Sequence, residues 1–251
     1  MYKGRGNAKY AKQDLDGAIA DYDRAIALNP NGADAYYNRG LAKRTKQDLD
    51  GAIADFDRAI ALNPNDPDAY YNRGNAKRAK EDLDGAIADY GRTIALDPNY
   101  APAYNNRGKA KDIRGDFDGA RADYEKYIAI GPKGSDYARF RLALVLRRQH
   151  ADESPAGLAA AVATWDNGWT KTVGLFVTGV TAESDFLNQA AVGDAKTVTN
   201  QQCEAYYYAG MARLLKGDTA KAGELFHKCI ATGVTSFVEF SLANAELARI
   251  R

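Results

Sequence analysis

Between Leu49 and Ile60, apolar side chains fall at Leu49, Ala52, Ile53, Phe56, Ala59 and Ile60, with charged and small residues between them. That three-and-four spacing lays one apolar stripe along a helix and predicts an amphipathic α-helix. Asp48 or Asp50 suits its N-cap, and "NPND" at 63–66 ends it, because proline removes a donor and fixes φ. Upstream, "DAYYNRG" at 34–40 opens another helical stretch and returns letter for letter at 68–74, with "PAYNNRG" at 102–108.

The unit is 34 residues long: 33–66, 67–100 and 101–134, preceded by 1–32, which lacks its first two places. The second and third units differ at nine of 34 places, so the repetition is not chance. Glycine recurs at Gly6, Gly40, Gly74 and Gly108, alanine at Ala18, Ala52, Ala86 and Ala120, and an aromatic at Tyr22, Phe56, Tyr90 and Tyr124. Proline closes each unit at Pro30, Pro64, Pro98 and Pro132. This pattern resembles the tetratricopeptide repeat (TPR), and implies an all-α, right-handed superhelix of antiparallel helix pairs whose concave side is lined by first helices. Gly40 and Ala52 are small because two helices must approach closely there. Met1 falls inside the first helix of a unit, which leads us to expect a preceding leader or anchor.

The four units occupy 1–134. A stacking or capping helix, "DYARFRLALVLRRQ", is predicted within 135–150, and "HADESPAG" reads as a break. A connector at 151–201 holds three shorter helices, near 158–165, 169–177 and 182–191. The repeat returns in degenerate form at 202–251, with Tyr206, Gly210, Ala222 and Phe226 at the right offsets and a final capping helix striped by Phe240, Ala243, Leu247 and Ile250. In this block "GWTKTVGLFVTG" and "GVTSFVEF" resemble NlpI-type TPR lipoproteins of bacterial envelopes. That resemblance implies a periplasmic or envelope-associated, homodimeric adaptor; the alternative is a cytoplasmic location.

Charge removes other classes. Lys+Arg (34) nearly balances Asp+Glu (33), so the broad electrostatic footprint of a nucleic-acid or anionic-membrane partner is missing. The apolar run "LAAAVA" at 158–163 is far short of the roughly 20 residues that cross a bilayer, so no direct membrane insertion is expected. His150 and His227 are the two histidines and neither has a metal-ligand companion at a usable spacing. With no phosphate loop or nucleophile elbow, and with aspartates that follow the repeat as caps and ion-pair partners, no enzyme, metal or cofactor is expected. Cys203 starts one helix of the last hairpin and Cys229 ends the other, so antiparallel packing brings them together, either as a disulfide or as two small buried hydrophobes.

In TPR proteins the second, fifth, sixth, ninth, twelfth and thirteenth places face the groove. The resemblance therefore assigns a peptide-binding groove to Lys3, Asn7, Tyr37, Asn38, Leu41, Arg44, Tyr71, Asn72, Asn75, Arg78, Asn105, Asn106 and Lys109. Asn38, Asn72 and Asn106 form one file, and an amide offers the donor and acceptor that match a peptide bond; the same amides also suit bonding between neighbouring helices. Arg39, Arg73 and Arg107 point elsewhere and are expected to pair with aspartates such as Asp21, Asp55 and Asp89. Lys3, Asn7 and Asn38 match part of the carboxylate clamp of chaperone-binding TPRs, but Asp68 and Asn72 stand where cations are needed. The expected function is a non-catalytic adaptor binding an extended protein or peptide segment. The alternative is a self-assembling scaffold joined through its end helices.

Overall fold

The computed structural model describes residues 1–131, 135–149, 158–165 and 168–250. The described residues fold into α-helices joined by tight turns. Four hairpins come first: α1 (Tyr2–Ala11) with α2 (Leu15–Leu28), α3 (Ala33–Thr45) with α4 (Leu49–Leu62), α5 (Pro67–Ala79) with α6 (Leu83–Leu96), and α7 (Ala101–Arg114) with α8 (Phe117–Ile130). Then follow α9 (Asp136–Gln149), α10 (Leu158–Thr164), α11 (Trp169–Val177), α12 (Glu183–Gln189), α13 (Ala195–Leu215), α14 (Thr219–Ala231) and α15 (Val238–Arg249). The architecture is a stacked helix-pair solenoid with a divergent helical block near the C-terminus.

Local chemistry sets the boundaries. Asp48 caps α4 by accepting the Gly51 N–H at 3.0 Å, and Asp14, Asp82, Asp116 and Asp218 do the same for α2, α6, α8 and α14. Asn29, Asn63 and Asp97 close the second helices with Asx turns onto Asn31, Asn65 and Asn99. Between the helices of a pair, Gln13, Gln47 and Glu81 adopt φ of 63°, 65° and 64°, where the later hairpins have Gly115 and Gly217. Left-handed backbone is costly for a residue with a Cβ.

Within each hairpin the glycine lies flat against the buried aromatic. A Cβ on Gly40 would stand 2.8 Å from the Phe56 ring, and one on Gly74 would stand 2.9 Å from the Tyr90 ring. Buried charge follows the same period. Arg39 forks onto Asp55 at 2.9 and 2.5 Å and reaches Asp23 on the preceding hairpin, while Lys43 closes on Asp55 at 2.8 Å. Arg73 repeats this with Asp89 and Asp57, and Arg5 pairs with Asp21, whose carboxyl is held well below the usual carboxylate range by that bond. Arg39 and Arg73 thus fasten helices through buried aspartates, as expected of them.

The chain divides into two compact units, Met1–Ala110 and Lys111–Arg251. The division falls inside the fourth repeat rather than at 134/135. The reason lies in α15: Arg249 donates to the Asp112 and Ile113 carbonyls at 2.9 and 2.7 Å, tying the end of α7 to the C-terminal block. Buried ion pairs Arg141–Glu239 (2.6 Å) and Arg148–Glu246 (2.7 Å) fasten α9 to α15. The connector is also shorter than 151–201. Asp194 accepts the Thr197 N–H at 2.9 Å and starts α13 at Ala195, so the first helix of the last hairpin has 21 residues. Phe140, Phe186, Tyr208 and Phe226 centre this unit's core, with Phe186 stacked on Phe176 at 4.3 Å. The break at 150–157 lies outside the described residues.

Candidate functional site: the first-helix face

All thirteen groove candidates lie in the first unit, on α1, α3, α5 and α7. There they contact one another far more than the sequence suggested. Lys3 pairs with Asp34 at 2.6 Å. Asn38 Nδ2 donates to Asn7 Oδ1 at 3.3 Å, and Asn7 Oδ1 also accepts the Tyr22 hydroxyl at 2.9 Å. Asn72 is buried, 7% exposed: its Oδ1 accepts Arg44 Nη1 at 2.7 Å, and its Nδ2 donates to the Tyr37 hydroxyl at 3.0 Å and the Asp68 carbonyl at 2.9 Å. Asn106 Nδ2 donates to the Tyr71 hydroxyl at 3.1 Å and to Asn75 Oδ1 at 2.9 Å, which also accepts the Tyr90 hydroxyl at 2.8 Å. The polar file is thus a ladder that rivets each first helix to the next.

The tyrosine hydroxyls were the missing partners, and the sequence held a signal for them. Asn7 and Asn75 each stand 15 residues before a tyrosine, Tyr22 and Tyr90, whereas in the second repeat, 33–66, the same places hold Leu41 and Phe56. A polar side chain occurs there when the buried ring carries a hydroxyl, and an apolar one when it does not. Burial pushes the Tyr37 phenol up to about 12, so it stays neutral and keeps its proton. Tyr100 adds a contact unforeseen from sequence, donating to Asp68 at 2.6 Å, and its ring lies 5.1 Å from that of Tyr71.

Two polar atoms on this face are left over. Arg78 Nε on α5 and Asn105 Oδ1 on α7 are buried and have no hydrogen-bond partner. One is a donor and the other an acceptor, on neighbouring first helices. Asn105 stands at the place that Tyr37 and Tyr71 occupy in the preceding repeats, so the row of rings stops there. Leu41 and Lys109 are half-buried along the same face.

Elsewhere, Cys203 on α13 and Cys229 on α14 are buried free thiols with Sγ atoms 3.5 Å apart. His227 is exposed, its Nδ1 2.8 Å from the Gly223 carbonyl oxygen, and His150 lies outside the described residues. Among the described residues no group of three or more His, Cys, Asp and Glu could hold a metal ion, and no helix is long and apolar enough to cross a membrane.

This geometry, glycine against aromatic within pairs and first helix riveted to first helix between them, defines a helix-pair repeat protein. The family pattern described as "TPR repeat" matches 6–44, 40–78 and 74–111, and "Tetratricopeptide repeat" patterns match 101–133 and 204–232. Together they span more than half of the chain, which belongs to the tetratricopeptide-repeat family. No curated protein matches it. Among solved structures it is similar to a tetratricopeptide repeat protein from Parabacteroides merdae, with 17% identity over 98% of this chain and 97% of that one, at a TM-score of 0.67. It is also similar to MamA (22% identity, 92% of this chain and 89% of that one, TM-score 0.51). A third is YrrB, described as a TPR protein with an unusual peptide-binding site (19% identity, 87% and 95%, TM-score 0.51). At these identities the likeness establishes the fold.

Proposed function

We propose that the chain is a non-catalytic adaptor that holds an extended peptide segment across the first-helix face of α1, α3, α5 and α7. The observation that carries this reading is the orphaned pair, Arg78 Nε and Asn105 Oδ1. A buried donor or acceptor without a partner costs about 1–3 kcal/mol, so turning the Arg78 and Asn105 side chains outward onto a peptide's carbonyl and N–H would relieve both. The hydrogen-bonded ladder acts as a pre-organised floor, since groups already fixed lose little freedom on binding. Hydrogen bonds alone, at about 0.5–1.5 kcal/mol each, fall short of the roughly 8 kcal/mol of a micromolar complex. Tyr37, Leu41 and Tyr71 supply the apolar contact. The peptide site named for YrrB is in keeping with this use of the fold.

The test is selection of peptides on the full chain from a random library, followed by calorimetry with Arg78→Ala and Asn105→Ala. A three- to thirtyfold loss of affinity at unchanged melting temperature is expected. Unchanged affinity in both variants would remove the site from this face. The resemblance of the C-terminal block supports an envelope location and a homodimer for this adaptor, which fractionation and light scattering check. End-to-end assembly is the second reading, favoured by Leu28, 75% exposed beside a cavity of about 610 Å³ between α1, α2 and α3. Growth of the scattering mass with concentration would favour it.

A further inference from the structure

The second unit carries a cleft that the peptide face does not explain. Cavities of about 690 and 520 Å³ lie side by side and share Arg147 of α9 and Leu215 of α13. The first is walled by Phe176, Val180 and the start of α12; the second lies against α15. Val180 stands 71% exposed on the rim of the first.

The charge on the lining is unequal. Five basic side chains face these cavities against two acidic ones, in a chain whose net charge is +1. The two acids are already engaged. Glu183 holds Arg213 at 2.7 and 3.0 Å, and Glu246 is shared by Arg148 and Arg249. Arg147 and Lys216 are left with no ion pair among the described residues. Arg147 is half-buried, and burial lowers its pKa. A guanidinium withdrawn from water without a counter-ion is a stored demand for an anion.

We propose that this cleft docks an acidic–apolar segment of a partner protein, with an Asp or Glu carboxylate on Arg147 and neighbouring apolar side chains against Phe176, Val180 and Leu215. Charge complementarity selects the acid. A planar guanidinium takes a carboxylate in two parallel bonds, which a bulk positive field does not require. The apolar wall selects a peptide over a bare polyanion. Because Arg147 lies where the two cavities meet, the form fits a segment running through rather than a chain end. This site is separate from the first-helix face and stands or falls without it.

Fluorescence polarisation on the full chain tests it with an acetylated, amidated peptide of alternating Glu and Leu and its Gln-for-Glu counterpart. The acidic peptide is expected to bind at least tenfold tighter, and Arg147→Ala to abolish that difference while leaving the melting temperature unchanged or raised. A purely structural arginine would lower it. Val180→Asp, on the exposed rim, is expected to weaken binding at least threefold with no effect on folding. The proposal is overturned if the Gln peptide binds as well, or if folded Arg147→Ala retains the preference. It is also overturned if a single-stranded DNA 12-mer competes as tightly as the acidic peptide, which would make the cleft a polyanion site.

Discussion

Asn38 and Asn72 occupy the same place in successive repeats, yet alanine substitution should affect them very differently. In Asn72→Ala three hydrogen bonds go: one from the charged Arg44 and two made by Nδ2 to Tyr37 and the Asp68 carbonyl. A bond to a charged group contributes about 1.5–3 kcal/mol and a neutral one about 0.5–1.5. Because Arg44 is half-exposed and water can replace its partner, the loss in the first unit comes to about 2–4 kcal/mol. Asn38 makes one 3.3 Å bond from a half-buried side chain. Alanine recovers up to about 0.7 kcal/mol in helix propensity, so Asn38→Ala should fall within about 0.5 kcal/mol of the wild type. Hydrogen exchange resolved by helix is the suitable assay, since it reads α3 to α6 separately from α13 and α14. Protection should drop in α3–α6 for Asn72→Ala and stay level for Asn38→Ala. If Asn72→Ala keeps wild-type protection yet loses peptide binding, Asn72 serves the ligand and the inter-helix ladder is not what holds the face.

Replacing Gln13, Gln47 or Glu81 by glycine should stabilise the chain by about 0.5–1 kcal/mol each, as relief of left-handed strain exceeds the entropy of glycine; urea unfolding that shows a loss at all three would contradict the strain. Gly74→Val should cost about 1–3 kcal/mol through collision with the Tyr90 ring, with lost protection confined to the first unit by hydrogen exchange. Burial, reinforced by the charge of Glu239, pushes Glu204 up to about 7, against about 4.3 for the unfolded chain. Between those values the folded chain keeps a proton the unfolded chain has lost, so stability should fall as pH rises from about 4.3 to 7, and Glu204→Gln should flatten that slope in a pH series of melting curves. Mild oxidation should join Cys203 to Cys229, seen as a loss of two hydrogens in the unreduced mass; two free thiols after oxidation would leave the pair as buried hydrophobes.

The sequence alone determined the repeat and its internal packing, because these rest on local physics that recurs every 34 residues. Helical periodicity, the aspartate caps, the proline stops, glycine opposite aromatic and the arginines opposite buried aspartates are each decided within one or two hairpins. Tertiary structure decided three things that are not local. It turned the asparagine file from free amides into a ladder, since Asn72 meets Tyr37 and Arg44 only once first helices lie side by side. It moved the division of the chain into α7, because α15 returns across 136 residues of sequence to cap that helix's carbonyls. It placed Arg147, which has no ion pair among the described residues, in a cleft built from α9, α11, α12 and α13. Pairing over such separations depends on where whole helices are carried, and no periodicity along the chain encodes it.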